Sequence, residues 1–224
     1  GHLLQYHAAF QRLRELVAEG ALGRLQYVYS NRLNLGRFRR EEDILWSFAP
    51  HDISMILALV QQEPASIHAV GSTYLHERIA DVTTTHLTFA NGVNAHVFVS
   101  WLHPFKEQKL VVVGSHGMAV FDDGEAWERK LQLWRQPVSW QDGVPQPNKE
   151  TAEYVAVAQS EPLLDECSHF LDRVADRSAP RTDGHEGIRV LRVLAAAQQA
   201  MTQPQPQRHE PAGVKVHESA YVDD

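Results

Sequence analysis

Apolar residues recur along this chain in two rhythms, and the switches between them divide it into elements. In "YHAAFQRLRELVAEGALG", residues 6–23, Phe10, Leu13, Leu16 and Val17 fall at helical spacing and Gly20 supplies a stop, so a helix is expected. "RLQYVYSNRLNLG" alternates and is rich in β-forming side chains, which predicts a strand. Residues 37–45 form a charged loop. A second helix takes in "WSFAPHDISMILALV", residues 46–60, where Ile53, Ile56, Leu57 and Val60 line one face and "QQEP" ends the run.

The period then shortens to two. "ASIHAVGSTYL" and "DVTTTHLTFA" are strand-like, Asn91-Gly92 is a hairpin turn, and "VNAHVFVSWLH" returns with Val93, Ala95, Val97, Val99 and Trp101 on one face. "EQKLVVVGS", "GMAVFDD" and "RKLQLWR" continue the pattern. Several successive strands without intervening helices predict a largely antiparallel sheet and an α+β fold. Residues 136–150 are expected to be a loop. Two helices follow, one burying Leu163, Leu164, Cys167, Phe170, Leu171 and Val174, the other Ile188, Leu191, Leu194 and Ala195. The expected organisation is one domain over residues 1–200, a Pro/Gln-rich linker over 201–213, and a last segment over 214–224.

Composition narrows the function classes. The net charge of −7 argues against binding nucleic acid through its phosphates, and Arg37, Arg39 and Arg40 are answered by Glu41, Glu42 and Asp43. The single cysteine excludes an intrachain disulfide and a cysteine-built metal cluster, and fits a reducing, cytoplasmic setting with Cys167 as a buried thiol. No apolar run approaches the ~20 residues a membrane span needs, and no signal-like start is present. The opening without a methionine suggests a fragment of something longer.

The candidate chemistry lies on the second helix. Ser47, His51 and Ser54 share a stripe distinct from the apolar face, and Ser47 lies one turn before His51, within reach of it. If the helix starts near Ser47, Pro50 falls in the first turn, where its missing N–H is tolerated, and the positive end of the helix dipole keeps His51 neutral. A neutral imidazole can act as a general base; the same His51-Asp52 pair can equally do no more than satisfy a helix end. Asp52 points elsewhere round the helix, toward free amides or a neighbour. His86 and His96 flank the Asn91-Gly92 hairpin and could pair across it, a weak zinc site. "GSHG" at 114–117 is a turn between strands, a poor phosphate loop.

The motifs resemble a known family. "GHLLQYHAAFQRLRELVAEGALGRLQYVYSNR", "ILWSFAPHDISMILALV", "LVVVGSHGMAVFDD" and "EPLLDECSHFLDRVADRSAPRTDGHEGIRVLRVLAAA" are similar, in order, to the second domain of the Gfo/Idh/MocA oxidoreductases. The resemblance implies an open, mostly antiparallel sheet with helices on one face, as in the C-terminal domain of glyceraldehyde-3-phosphate dehydrogenase. It also implies that the sheet serves as a homo-oligomer interface. It implies hydride transfer between a sugar and NAD or NADP, with His51 as the acid/base residue. Many members carry an aspartate where this chain has Ser47. The "LWSFAPHD" form is closer to the subgroup acting on nucleotide-linked sugars. Ser47, Asn34 and Arg32 are then expected near substrate, and Gln5 and Tyr6 on the nicotinamide side. The family's Rossmann domain and its Glu-Lys-Pro lysine have no counterpart in these residues, so the chain alone is expected to bind the dinucleotide poorly. A non-catalytic binding or dimerisation module is the rival expectation. "VKVHESAYVDD" resembles the first coil of a hexapeptide-repeat acyltransferase, with a disordered tail as the alternative.

Overall fold

The strand β1 (Leu25–Leu33) lies in the interior of an eight-stranded sheet, although both its neighbours in sequence are helices, α1 (Ala8–Ala18) and α2 (Ile44–Val60). It pairs parallel with β4 (Asn94–Ser100) on one side and antiparallel with β5 (Glu107–Gly114) on the other. Beyond β4 the sheet continues through β3 (Val82–Phe89) to the edge strand β2 (Pro64–Ser72). Beyond β5 it runs through β6 (Gly117–Asp122) and β7 (Leu131–Arg135). Every pairing except β1 with β4 is antiparallel. The computed structural model describes residues 1–135, 138–147 and 151–202.

Alternation along the strands sorts the two sheet faces. Val28, Thr85, Leu87, Val97, Val112 and Phe121 are buried, and α1, α2 and α4 (Gly184–Thr202) pack over that face. The opposite face carries Tyr29, His96 and His86, which stand opposite one another in register. Tyr29 and His96 stack at 5.2 Å with 3° between planes. His86 and His96 do meet, at 5.8 Å between ring centroids. The fold is therefore α+β, with helices on one face of an open, mostly antiparallel sheet.

Four expectations need correction. Residues 138–147 are not plain loop: β8 (Val138–Gln141) and β9 (Val144–Pro147) form a separate hairpin. Its turn is Asp142-Gly143, with φ of 50° and 78°, the left-handed pair that a tight two-residue hairpin requires. A two-residue strand, β10 (Glu153–Tyr154), then adds to the β7 edge.

The helix α3 (Pro162–Asp176) buries none of its residues. Leu163, Leu164, Phe170, Leu171 and Val174 are all exposed, with Leu171 at 66%, and Cys167 is exposed too. The periodicity of α3 is real, but among the described residues it packs mainly beside the short 3-10 turn Leu3–Tyr6, and its apolar side stays exposed. In α4 the buried stripe is Val190, Val193, Leu194 and Ala197, whereas Ile188, Leu191 and Ala195 face outward. A helix with apolar residues on more than one side does not reveal from period alone which side meets the sheet.

The fourth concerns α2. It begins at Ile44, capped by the Asp43 carboxylate accepting from Trp46 N–H at 3.2 Å, so Pro50 lies in its interior rather than its first turn. The expected linker beyond Thr202 and the last segment, 214–224, lie outside the described residues.

Candidate functional site around His51

The helix α2 is buried on most of its circumference; Ile53, Ile56, Leu57 and Val60 are all in the core. Starting it at Ile44 places His51 two turns inside, where the dipole of the helix end has faded. His51 is nonetheless held neutral, for a different reason. Burial comes first, then the nearby Arg32 cation, and together they push its imidazole down to about 4. Asp52 opposes that shift, while His2 and the N-terminal amino group add to it. Nδ1 of His51 is buried without a hydrogen-bond partner, so the expected reach from Ser47 does not satisfy that atom. The ring of His2 stands edge-on to it at 6.2 Å.

Asp52, only 1% exposed, is the anchor of the site. Ser30 and Arg32 occupy alternate, inward-facing positions on β1 and both reach it. Ser30 Oγ donates to Asp52 Oδ1 at 2.5 Å, Arg32 Nε to Oδ2 at 2.7 Å and Arg32 Nη2 to Oδ1 at 3.2 Å. Arg32 is therefore not a free cation facing solvent: its side chain is 9% exposed and engaged through two nitrogens.

A second polar cluster joins the chain's first residues to α2 and the start of α4. Gln5 Nε2 donates to the backbone oxygen and to Oγ of Ser54, both at 2.9 Å. Ser54 Oγ donates to Glu186 Oε1 at 2.5 Å, and His2 Nδ1 lies 2.7 Å from Glu186 Oε2. Burial alone would raise the Glu186 carboxyl, but the hydrogen bonds from His2 and Ser54 outweigh it and hold the group below its ordinary value. Tyr6 is buried, its hydroxyl 2.9 Å from Thr182 Oγ1, and Arg181 lies over its ring at 4.9 Å while donating to Gln5 O at 3.0 Å. A cleft of about 520 Å³ runs beside this cluster, lined by Gln5, Ser54, Arg181, Glu186, Arg14 and His185 among others.

Of the residues singled out in sequence, Gln5, Tyr6, Arg32 and His51 thus belong to two adjoining clusters. Ser47 is half-buried one turn before His51. Asn34 follows β1, where its N–H donates to Ser100 O at 3.1 Å. The sequence did not reveal Ser30 or Glu186. Ser30 was findable, since it alternates with Arg32 on β1. Glu186 was not, because it reaches Ser54 across 132 residues.

A nicotinamide dinucleotide is the cofactor that the family resemblance implies. The 114–117 glycines serve packing. A Cβ on Gly114 would sit 2.1 Å from Leu22 O, and one on Gly117 2.7 Å from Trp134 O. Among the described residues no group of three or more His, Cys, Asp or Glu is placed to hold a metal ion, and no helix is long and apolar enough to cross a membrane.

The model of the GFO/IDH/MocA C-terminal domain family matches residues 10–120. The chain carries a GFO/IDH/MocA C-terminal domain. Solved structures share its fold over nearly the whole length of the chain. UDP-N-acetylglucosamine 3-dehydrogenase from Acidithiobacillus ferrooxidans is 23% identical, with a TM-score of 0.73 over 89% of this chain and 60% of that one. A putative oxidoreductase from Magnetospirillum magnetotacticum MS-1 is 26% identical, with a TM-score of 0.69 over 88% of this chain and 61% of that one. A levoglucosan dehydrogenase, solved in complex with NADH and levoglucosan, is 19% identical, with a TM-score of 0.71 over 90% of this chain and 62% of that one. The GFO/IDH/MocA domain described here therefore spans about three fifths of the length of these relatives. No curated protein matches the chain by sequence.

Proposed function

We propose that this domain is the substrate-binding and assembly part of an oxidoreductase that moves hydride between a sugar carbon and NAD or NADP. The sugar is nucleotide-linked. The observation that carries the proposal is His51: a half-buried imidazole, kept neutral by burial and by Arg32, in an oxidoreductase-family domain. A carbon that gives up hydride from an alcohol must also lose its hydroxyl proton, and a neutral imidazole is a fit acceptor for it. In the reverse direction the same ring returns the proton. His51 supplies this step from its own side chain.

Ser47, one turn from His51, and Asn34, past the end of β1, are assigned to substrate. Gln5 and Tyr6 lie toward the nicotinamide, as residues that fix the opening segment against α2 and α4. The open sheet face, with Tyr29, His96 and His86 in register, is assigned to contact with a second copy. The likeness to a UDP-N-acetylglucosamine 3-dehydrogenase supports a nucleotide-linked sugar, and the NADH complex of the levoglucosan dehydrogenase supports the cofactor.

Ligand-observed NMR on the 224-residue chain tests the substrate class, with UDP-N-acetylglucosamine, UDP and free N-acetylglucosamine as probes. The expected result is saturation transfer to the UDP-sugar that is lost in His51→Asn and Ser47→Ala together. Equal transfer to the free sugar and none to UDP would sink the nucleotide-linked assignment.

A further inference from the structure

The aromatic neighbour of His51 is a second imidazole. The ring of His2 stands edge-on to it, with 6.2 Å between centroids and 87° between planes. Behind His2 lies a carboxylate that is held from two sides. Glu186 Oε2 is 2.7 Å from His2 Nδ1, and Glu186 Oε1 accepts from Ser54 Oγ at 2.5 Å. Gln5 Nε2 donates to that same Ser54 Oγ, which leaves the serine's own hydrogen for Glu186. The opening segment, α2 and the start of α4 thus meet in one file of polar groups. Arg189, further along α4, turns instead to Glu63 Oε1 at 2.5 Å and Gln62 O at 3.4 Å.

This arrangement fixes a tautomer. An ionised carboxylate only accepts, so the hydrogen of neutral His2 sits on Nδ1 and Nε2 keeps its lone pair. A proton arriving at Nε2 then leaves a cation directly beside a carboxylate. Glu186 also lines the cleft of about 520 Å³, so the file ends where water can take a proton away.

We propose that His2, backed by Glu186, is a positioning residue that relays the proton taken up by His51 out to the cleft. This deepens the reading of His51 as the proton acceptor and rests on it. In alcohol oxidation the C–H bond breaks and hydride departs with its electron pair to the nicotinamide, while the O–H bond breaks and its proton goes to His51. His51 hands a proton through one water to Nε2 of His2, and His2 releases one to water in the cleft. One proton leaves the substrate, one reaches solvent, and both rings end neutral. The relay suits the acceptor: burial holds the His51 imidazole at about 4, so near neutrality the ring does not keep a proton and needs an outlet for it. A plain tether between the opening segment and α4 would need only a hydrogen-bond donor at position 2, which a glutamine supplies as well.

Two measurements test this. Nitrogen-resolved NMR of the imidazoles in the 224-residue chain reads the tautomer without turnover. His2 is expected with its hydrogen on Nδ1 and a bare Nε2, and Glu186→Ala should release it to the Nε2–H form; a hydrogen already on Nε2 in the unsubstituted chain overturns the relay. Turnover of the assembled oxidoreductase, with UDP-N-acetylglucosamine and NAD, reads the step itself. His2→Gln should lower kcat about tenfold or more, with KM and melting temperature little changed, and imidazole in the buffer should restore the rate. A kcat that does not fall, or a loss that imidazole does not restore, overturns the proposal. If His2→Gln fails to fold, Glu186→Gln keeps the shape of the file while removing its charge, and should lower kcat in the same way. His51→Asn separates the two readings. Turnover lost there but kept in His2→Gln overturns the relay and leaves His51 standing, whereas turnover kept in both overturns the reading of His51 as well.

Discussion

Arg32 on β1 and Asp52 on α2 form a buried ion pair, Nε to Oδ2 at 2.7 Å, and Asp52 follows His51 directly in the chain. Removing one partner of such a pair leaves a charge in the interior, and typically costs about 3–5 kcal/mol. Asp52→Ala should therefore lower the midpoint of chemical denaturation sharply. The double replacement Arg32→Met/Asp52→Leu should recover most of the loss, because neither charge then remains to be buried. Denaturant titration of the parent and the two variants checks this; an Asp52→Ala protein as stable as the parent would mean that water reaches the pair.

His51 itself makes stability depend on pH. Its folded value lies near 4 against an unfolded value of about 6.5, so the unfolded chain binds the proton more readily. The stabilisation is fully present above about 6.5 and is lost as pH falls toward 4, by up to about 3 kcal/mol. In His51→Asn that part of the acid sensitivity should vanish. Thermal melts between pH 7 and 4.5 compare the two.

Asp123 contributes in a lower window. His7 caps α1 through Nδ1, which accepts from Ala9 N–H at 3.1 Å, and its Nε2 faces Asp123 Oδ1 at 3.4 Å. Lys130 Nζ lies 3.0 Å from the same oxygen. Burial would raise this carboxyl, but His7 and Lys130 outweigh it and hold it at about 2. Its stabilisation is present above the unfolded carboxylate value and is lost as pH falls through about 2. Asp123→Asn should cost on the order of 1–2 kcal/mol at pH 7, and should flatten the acid limb below pH 4 without altering the one His51 governs.

Gly114→Ala should be far more harmful than a surface glycine replacement. The new Cβ would fall 2.1 Å from Leu22 O, a backbone atom that cannot step aside without moving the turn before β1. Gly143→Ala has nothing within 4 Å and suffers only its φ of 78°. A larger loss of melting temperature for Gly114→Ala is the expected ranking. The reverse order would mean that the 20–24 turn yields easily.

The exposed side of α3 predicts the opposite behaviour to a core helix. Phe170 and Leu171 are 60% and 66% exposed, so Phe170→Ser/Leu171→Ser should change stability by less than about 1 kcal/mol. It should also reduce self-association seen by light scattering, since a contiguous apolar helix face is removed. A large loss of stability would show that α3 is buried after all.

Much of the architecture was legible in local pattern. The period-two runs gave β1 through β7, Asn91-Gly92 gave the hairpin between β3 and β4, and the apolar faces of α2 and β4 were correct residue by residue. Those features depend on neighbours a few positions apart, which sequence spacing encodes. The neutrality of His51 was also foreseen, but the cause was misplaced, because the helix begins three residues before Ser47 and takes Pro50 into its interior.

What the sequence determined by itself was therefore the kind of the main helices and of strands β1 to β7, the helix that carries His51 and the likeness to an oxidoreductase domain. Tertiary structure decided the rest. It inserted β1 between β4 and β5, and so brought Arg32 across 20 residues to Asp52. It carried Glu186 to Ser54 and left the apolar side of α3 exposed among the described residues. The physical reason is common to all three. Periodicity states that a face is apolar or that a side chain points inward, but the partner it meets is set by strand order and helix docking, which no local spacing records.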